Sequence, residues 1–331
     1  MNIAVSFFPV ILFLLLLIYL DSFKLVKYFD LFTCLIWGMI SAGISYVINT
    51  VLYNLVQIDF ISYSRFLAPV VEELLKASLV IFIIYRGKIG FLIDGAILGF
   101  AVGAGFSIVE NIYYLNNLES SNLTLWIARG FGTALMHGSC TSIFTIISIN
   151  IFSQKDVLKL KMFLPGIFLA MVIHSIYNQF IVSPLISTLV IFVSVPFVVI
   201  LIFEQNEKSL RKWLEIEFDT ELRLLNMIKS GQFSKTKSGN YIISIKNRFP
   251  AEIIFDMICY IRLYLELSLR AKSNLLLSES GFSLSKDEEL KQKLDELKYL
   301  QKNIGKTGII AISPILRMNQ KDIWKLNLLQ G

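Results

Sequence analysis

The chain has 331 residues, 55% of them hydrophobic and only 17% charged, with a mean hydropathy of +0.65. This is too apolar for a soluble protein of its size, and a net charge of +6 spread among 25 acidic residues argues against a nucleic-acid partner. The charge is also uneven: residues 1–203 hold 10 of the 31 Lys and Arg and 9 of the 25 acids, so a membrane part precedes a charged tail.

About 20 mostly apolar helical residues cross a bilayer. Seven such stretches follow one another at roughly 3–20, 31–52, 66–85, 91–115, 125–151, 162–182 and 185–203. The first lacks a basic leader and a small-residue cleavage site before Asp21, and so reads as a span rather than a secretion signal. Lys24 and Lys27, then Arg86 and Lys88, then Lys155, Lys159 and Lys161 fall in alternate short loops, while the other loops hold only Arg65. By the positive-inside rule the N-terminus is outside and the tail is cytoplasmic. The expectation is an all-α polytopic membrane helix bundle of about seven spans (1–203), followed by a mainly helical cytoplasmic domain (204–331).

In the tail, Glu207–Ile228 and Lys286–Lys302 alternate charged and apolar residues at helical spacing, with turn signals at Ser230-Gly231 and Ser238-Gly239-Asn240. Ile253–Leu269 is apolar enough to suggest an eighth span. Glu252, Asp256, Arg262, Glu266 and Arg270 interrupt it, which suits a packed amphipathic helix. Cys34, Cys140 and Cys259 share no metal or disulfide spacing and read as small apolar residues.

Ionisable groups inside hydrocarbon are costly and mark function by default. The third span carries Glu72, Glu73 and Lys76, the fourth Asp94 and Glu110, the fifth Arg129 and His137, the sixth His174. Asp94, Arg129 and Lys88 lie near span ends and are expected to reach the interface. At 1.5 Å per residue, Glu72, Glu73, Glu110, His137 and His174 all fall roughly 8–12 Å below the outer end of their spans. A water-filled pocket in the outer half of the membrane is the economical explanation. Lys76 projects between Glu72 and Glu73 on the helix, and His174 and Asn178 share a face. Gly99 and Gly103 align below Glu110, permitting close helix packing and offering room for a locally unwound peptide. Carboxylates, imidazoles and amides in a wet pocket suit peptide hydrolysis. A carboxylate or metal activates water, and histidine or amide donors hold the oxyanion.

Glu72-Glu73-Leu74-Leu75-Lys76 resembles the EExxK motif of the PrsW intramembrane proteases, which are related to the CAAX-processing and bacteriocin-processing membrane proteases. The run from Asp94-Gly95 through Gly99, Gly103 and Gly105 to Glu110-Asn111 is similar to that family's glycine-rich motif. His137 and the pair His174/Asn178 match the remaining two in order. The resemblance covers residues 60–185. It implies cleavage of a membrane-anchored protein, such as an anti-sigma factor, near the outer face of a bacterial inner membrane.

The catalytic set is then Glu72, Glu73, His137, His174 and Asn178, supported by Lys76, Glu110 and Asn111. Either glutamate serves as the base, with Glu72 preferred. Two mechanisms use these residues. In the favoured one a glutamate activates water without a cofactor; in the other Glu73, His137 and His174 bind Zn²⁺, although no HExxH pair is present. A proton-coupled transporter or a non-catalytic receptor are alternatives; the first would spread polar groups over both leaflets and repeat a half. The tail carries no catalytic motif and suggests a partner-binding, regulatory or dimerisation module.

Overall fold

The computed structural model describes residues 2–21, 26–117, 126–153, 159–179, 183–279 and 288–316, with positions 181 and 282. Lys24, Lys155 and Lys286 lie outside the described residues. Those residues form helices and no strand. The chain divides into two compact units, Met1–Asn206 and Glu207–Gly331.

The first unit holds α1 (Asn2–Leu20), α2 (Tyr28–Val56), α3 (Ala68–Tyr85), α4 (Leu92–Asn117), α5 (Ala134–Ser153), α6 (Leu164–Tyr177) and the start of α7 (Pro184–Lys229). Each predicted span is a helix, and five of them are long and apolar enough to cross a membrane by length and composition. α3 departs from that standard because Glu72, Glu73 and Lys76 fall within its 18 residues. The seventh predicted span and the first predicted tail helix form one helix, α7, in which no Gly or Pro breaks the junction at Glu204.

α4 is the axis of the unit. Every residue from Ile93 to Ser107 is buried, which explains a sequence apolar on all faces rather than one. It packs chiefly on α5 and α2, and glycines set both crossings. A Cβ at Gly103 would lie 2.2 Å from the His137 carbonyl oxygen, and one at Gly105 would lie 2.0 Å from that of Leu35. The glycine stripe is therefore filled by neighbouring helix backbone, as expected of small residues at membrane helix contacts. The predicted room for an unwound peptide along it is absent, because α2 and α5 occupy that space.

Asp94 also differs from expectation. It is 1% exposed, not at the interface, since its carboxylate accepts the backbone N–H groups of Gly90 (2.8 Å), Phe91 (2.8 Å) and Gly95 (3.0 Å) and so closes the turn that opens α4. Lys88, by contrast, is exposed as expected and pairs with Asp30 at 2.5 Å.

The second unit packs α8 (Lys237–Ile245), α9 (Ala251–Glu279) and α10 (Glu288–Leu316) with the end of α7 around Met257, Tyr260, Ile261, Tyr264 and Leu267. The apolar stretch 253–269 lies in α9 and supplies much of this core, with Arg262 exposed and Glu266 half-buried. Gly231 takes φ +70° in the predicted turn. Ser238-Gly239-Asn240 is instead the first turn of α8, because the Thr236 hydroxyl accepts the Gly239 N–H (2.9 Å) and caps the helix there. Lys272 is buried and pairs with Glu221 at 3.0 Å, and the Ser268 hydroxyl donates to the same carboxylate at 2.8 Å.

Candidate active site

Four helices bring the charged residues of the first unit together. α3 has Pro69 in its first turn, where no N–H partner is needed, and carries Glu72, Glu73 and Lys76 one to two turns further in. Lys76 is fully buried and donates to the Glu73 carboxylate (2.6 Å) and to Nδ1 of His137 (3.0 Å). His137, on α5, places Nε2 3.0 Å from the Glu110 carboxylate on α4. His174, on α6, places Nδ1 2.8 Å from Glu73 and Nε2 3.8 Å from Glu72. The two imidazoles lie edge to face, their centroids 4.8 Å apart, and Phe106 covers both His137 and the Lys76 ammonium.

These contacts assign protons. A carboxylate only accepts, so His174 carries a proton on Nδ1 toward Glu73, and in the neutral ring the lone pair of Nε2 faces Glu72. An ammonium only donates, so His137 accepts at Nδ1 and donates from Nε2 to Glu110. Glu73 and Glu110 are both committed to cations or N–H donors. Glu72, whose side chain is 16% exposed, instead faces the open Nε2 of His174 and receives the Asn49 amide at 3.5 Å.

Most residues picked out in the sequence meet here: Glu72, Glu73, Lys76, Glu110, His137 and His174 form one chain of contacts. Asn111 joins through its Oδ1, which accepts from Arg129 Nε (3.3 Å). Asn178 stands apart. It terminates α6, and its amide donates to the Ser64 carbonyl (3.1 Å) in a π-helical turn, Tyr63–Leu67. Such turns, like the second one at Ala128–Thr133, leave carbonyls off the regular ladder and recur at functional sites.

Three further residues, Arg129, Asn49 and Tyr63, belong to the site. Its position near a span end predicts Arg129 at the interface, yet the guanidinium lies 3.4 Å from Glu110 and 3.5 Å from the Tyr114 ring centroid, with only 12% of the side chain exposed. Charge compensation of Glu110 explains the position, and the count of acids over cations in the span set is the available signal. Asn49 and Tyr63 carry no charge and give none; the Tyr63 hydroxyl donates to Asn49 Oδ1 (3.0 Å), which turns the amide N–H₂ toward Glu72. Replacing Arg129 with Ala should release Glu110 and Asn111 and lower turnover roughly 10–100-fold, the usual cost of losing an outer support, while Arg129→Lys restores part of it. Formation of the cleaved product's new N-terminus in cells expressing equal protein checks this.

The profile of the PrsW family intramembrane metalloproteases matches residues 30–203, just over half of the chain. The chain belongs to that family. It is accordingly an intramembrane protease and a multi-pass membrane protein, with every contact of the site inside the matched region. No curated protein and no solved structure matches the chain.

The family description raises the question of a metal. Glu72, His137 and His174 each offer a ligand atom, all within 4.8 Å of one another, so the convergent acid is Glu72 and not Glu73. Two histidines and a glutamate are a known donor set for catalytic zinc, whose tetrahedral ligands stand about 3.4 Å apart, and closing the group needs about an ångström of side-chain movement. His174 fits well, because Glu73 accepts its other N–H as a ligating histidine requires. His137 fits only if Lys76 ceases to donate to Nδ1.

Proposed function

We propose that this PrsW-family protease hydrolyses a peptide bond of a membrane-anchored protein with water activated by Glu72, in a pocket in the outer half of the bilayer. The observation that carries the reading is the facing of the Glu72 carboxylate and Nε2 of His174 at 3.8 Å, both of them acceptors while the imidazole is neutral. Two acceptors so disposed call for a proton-bearing group beside them, and a water that donates to both is activated by both.

The water oxygen attacks the scissile carbonyl carbon as Glu72 takes its proton. The Nε2–H of His137 turns from Glu110 to the developing oxyanion, with Lys76 holding the opposite nitrogen. Glu72 then returns its proton to the departing amide nitrogen as the C–N bond breaks. Glu73 keeps the His174 tautomer, and Arg129 keeps Glu110 in place.

A second reading follows from the family description and the three donors. Glu72, His137 and His174 would hold Zn²⁺, which would supply hydroxide near neutral pH. Metal analysis and turnover of the purified full chain separate the two. Glu72→Gln should remain folded and lose turnover by about 10²–10⁴-fold under the first reading. Activity that survives chelation supports direct action of Glu72. Stoichiometric zinc in the wild type, lost from both Glu72→Gln and His174→Ala, supports the metal.

The loop charges support an outward pocket, and the family resemblance supports a bacterial inner membrane and a substrate such as an anti-sigma factor. The tail is read as a module for a cytoplasmic partner, for regulation or for dimerisation. Deletion of residues 205–331 should then alter cleavage in cells, and cleavage at the wild-type rate removes that role.

A further inference from the structure

A cavity of about 250 Å³ lies between α1, α4, α5, α6 and the first half of α7, and no step of the hydrolysis uses it. Its floor is buried and apolar, including Leu17, Phe100 and Met136. Its far wall is a stripe on α7, Ile191, Val195, Val198 and Ile202, whose spacing of three and four residues keeps them on one face for about 16 Å. Val198 is 45% exposed, and so are its neighbours Phe197 (62%) and Val193 (61%) on the outward face, so the cavity is continuous with the lipid-facing surface of α7.

The occupant follows from chemistry and size. Of the three serines that reach the cavity, Ser139 and Ser142 spend their hydroxyls on the carbonyls of Leu135 (2.6 Å) and Ala96 (2.8 Å), which leaves Ser194 on α7 as the hydroxyl for water among otherwise apolar walls. An apolar cavity stays dry and takes apolar ligands; one of about 150 Å³ accepts benzene. A spanning substrate helix about 10 Å wide would have to displace α7, which bounds the cavity, to reach its floor. A single hydrocarbon chain is slim enough, and the bilayer supplies it at the mouth.

The geometry points to an acyl-chain site: one chain of a membrane lipid inserts between α7 and the bundle. It packs against Met136 and Ile173, each one residue before an active-site histidine, so the lipid is part of the wall that holds the two imidazole-bearing helices.

The test uses the full chain in vesicles of phosphatidylethanolamine and phosphatidylglycerol, with a minor fraction of the lipid carrying a diazirine in an acyl chain. After irradiation, labelled residues are located by mass spectrometry. Labelling of Phe100 and Met136 comparable to that of lipid-facing Phe192 and Phe197 is expected. Val195→Phe, which fills the cavity, should abolish the floor labels and retain those at Phe192 and Phe197. The proposal is overturned if the wild-type floor is labelled no more than Ile97 and Val102, which are buried outside the cavity. It is equally overturned if floor labelling persists in Val195→Phe, or if a peptide of another protein is cross-linked there instead of lipid.

Discussion

Lys76→Met should destabilise the membrane unit by about 3–5 kcal/mol, the cost of leaving a buried charge without its partner. Glu73 is 2% exposed, and Lys76 is the cation on it at 2.6 Å; methionine fills similar space and offers no proton. For a unit of this size the loss corresponds to a fall in melting temperature on the order of 10 °C. Glu73→Gln in the same background removes the stranded charge and should recover most of the stability, since replacing both partners of a buried pair is far cheaper than replacing one. Turnover should behave differently. The double variant still lacks the donor at His137 Nδ1, and the amide introduced by Glu73→Gln can present its N–H₂ rather than its carbonyl to His174, so activity stays low while the melting temperature returns. Thermal unfolding and product formation, measured on the two single variants and the double, make a cycle. Recovery of both quantities together would assign Lys76 a purely structural role.

The same cluster separates what the sequence makes legible from what it does not. Apolar runs of about 20 residues mark the helices because each must satisfy its own backbone in lipid. The charges within those runs mark the site because hydrocarbon tolerates them only when paired. Position along a span also predicts a common level in the bundle, and Glu72, Glu110, His137 and His174 meet in one cluster.

Pairing across helices is another matter. Glu72 and Glu73 are adjacent, both near Lys76 by helical geometry, and only the approach of His174 from α6 gives Glu73 to the ion pair and leaves Glu72 open. Arg129 and Asp94 sit near span ends, where side chains commonly reach water, and nothing local reveals that a carboxylate or three backbone N–H groups will claim them. Asn178 has the spacing of an active-site amide. The π-helical turn at Tyr63–Leu67, which offers it the Ser64 carbonyl, has no periodic signature at all.

Gly103→Ala should cost more activity than any single methyl group placed elsewhere in the membrane unit. The added Cβ would stand 2.2 Å from the His137 carbonyl oxygen and 2.6 Å from the Gly138 Cα, so backbone rather than a flexible side chain must yield. Relieving the clash separates α4 from α5 by about an ångström, and overpacking of this kind typically costs about 1–3 kcal/mol. The displaced residue is His137 itself, whose Nε2 is positioned 3.0 Å from Glu110 on α4 before it serves the oxyanion. A misplacement of about 1 Å is enough to lower turnover on the order of 100-fold. Gly43→Ala is the matched control, because a Cβ there meets no atom within 4 Å, and it should leave both stability and turnover unchanged. Gly105→Ala is the sharper comparison: its Cβ would strike the Leu35 carbonyl at 2.0 Å, on the α2 side of the same helix. It should destabilise the unit at least as much while moving α2 and not His137. A turnover loss in Gly103→Ala well beyond that of Gly105→Ala at equal folded protein would show that the glycine stripe sets the distance between the imidazole and its carboxylate. Equal losses would reduce it to helix packing alone.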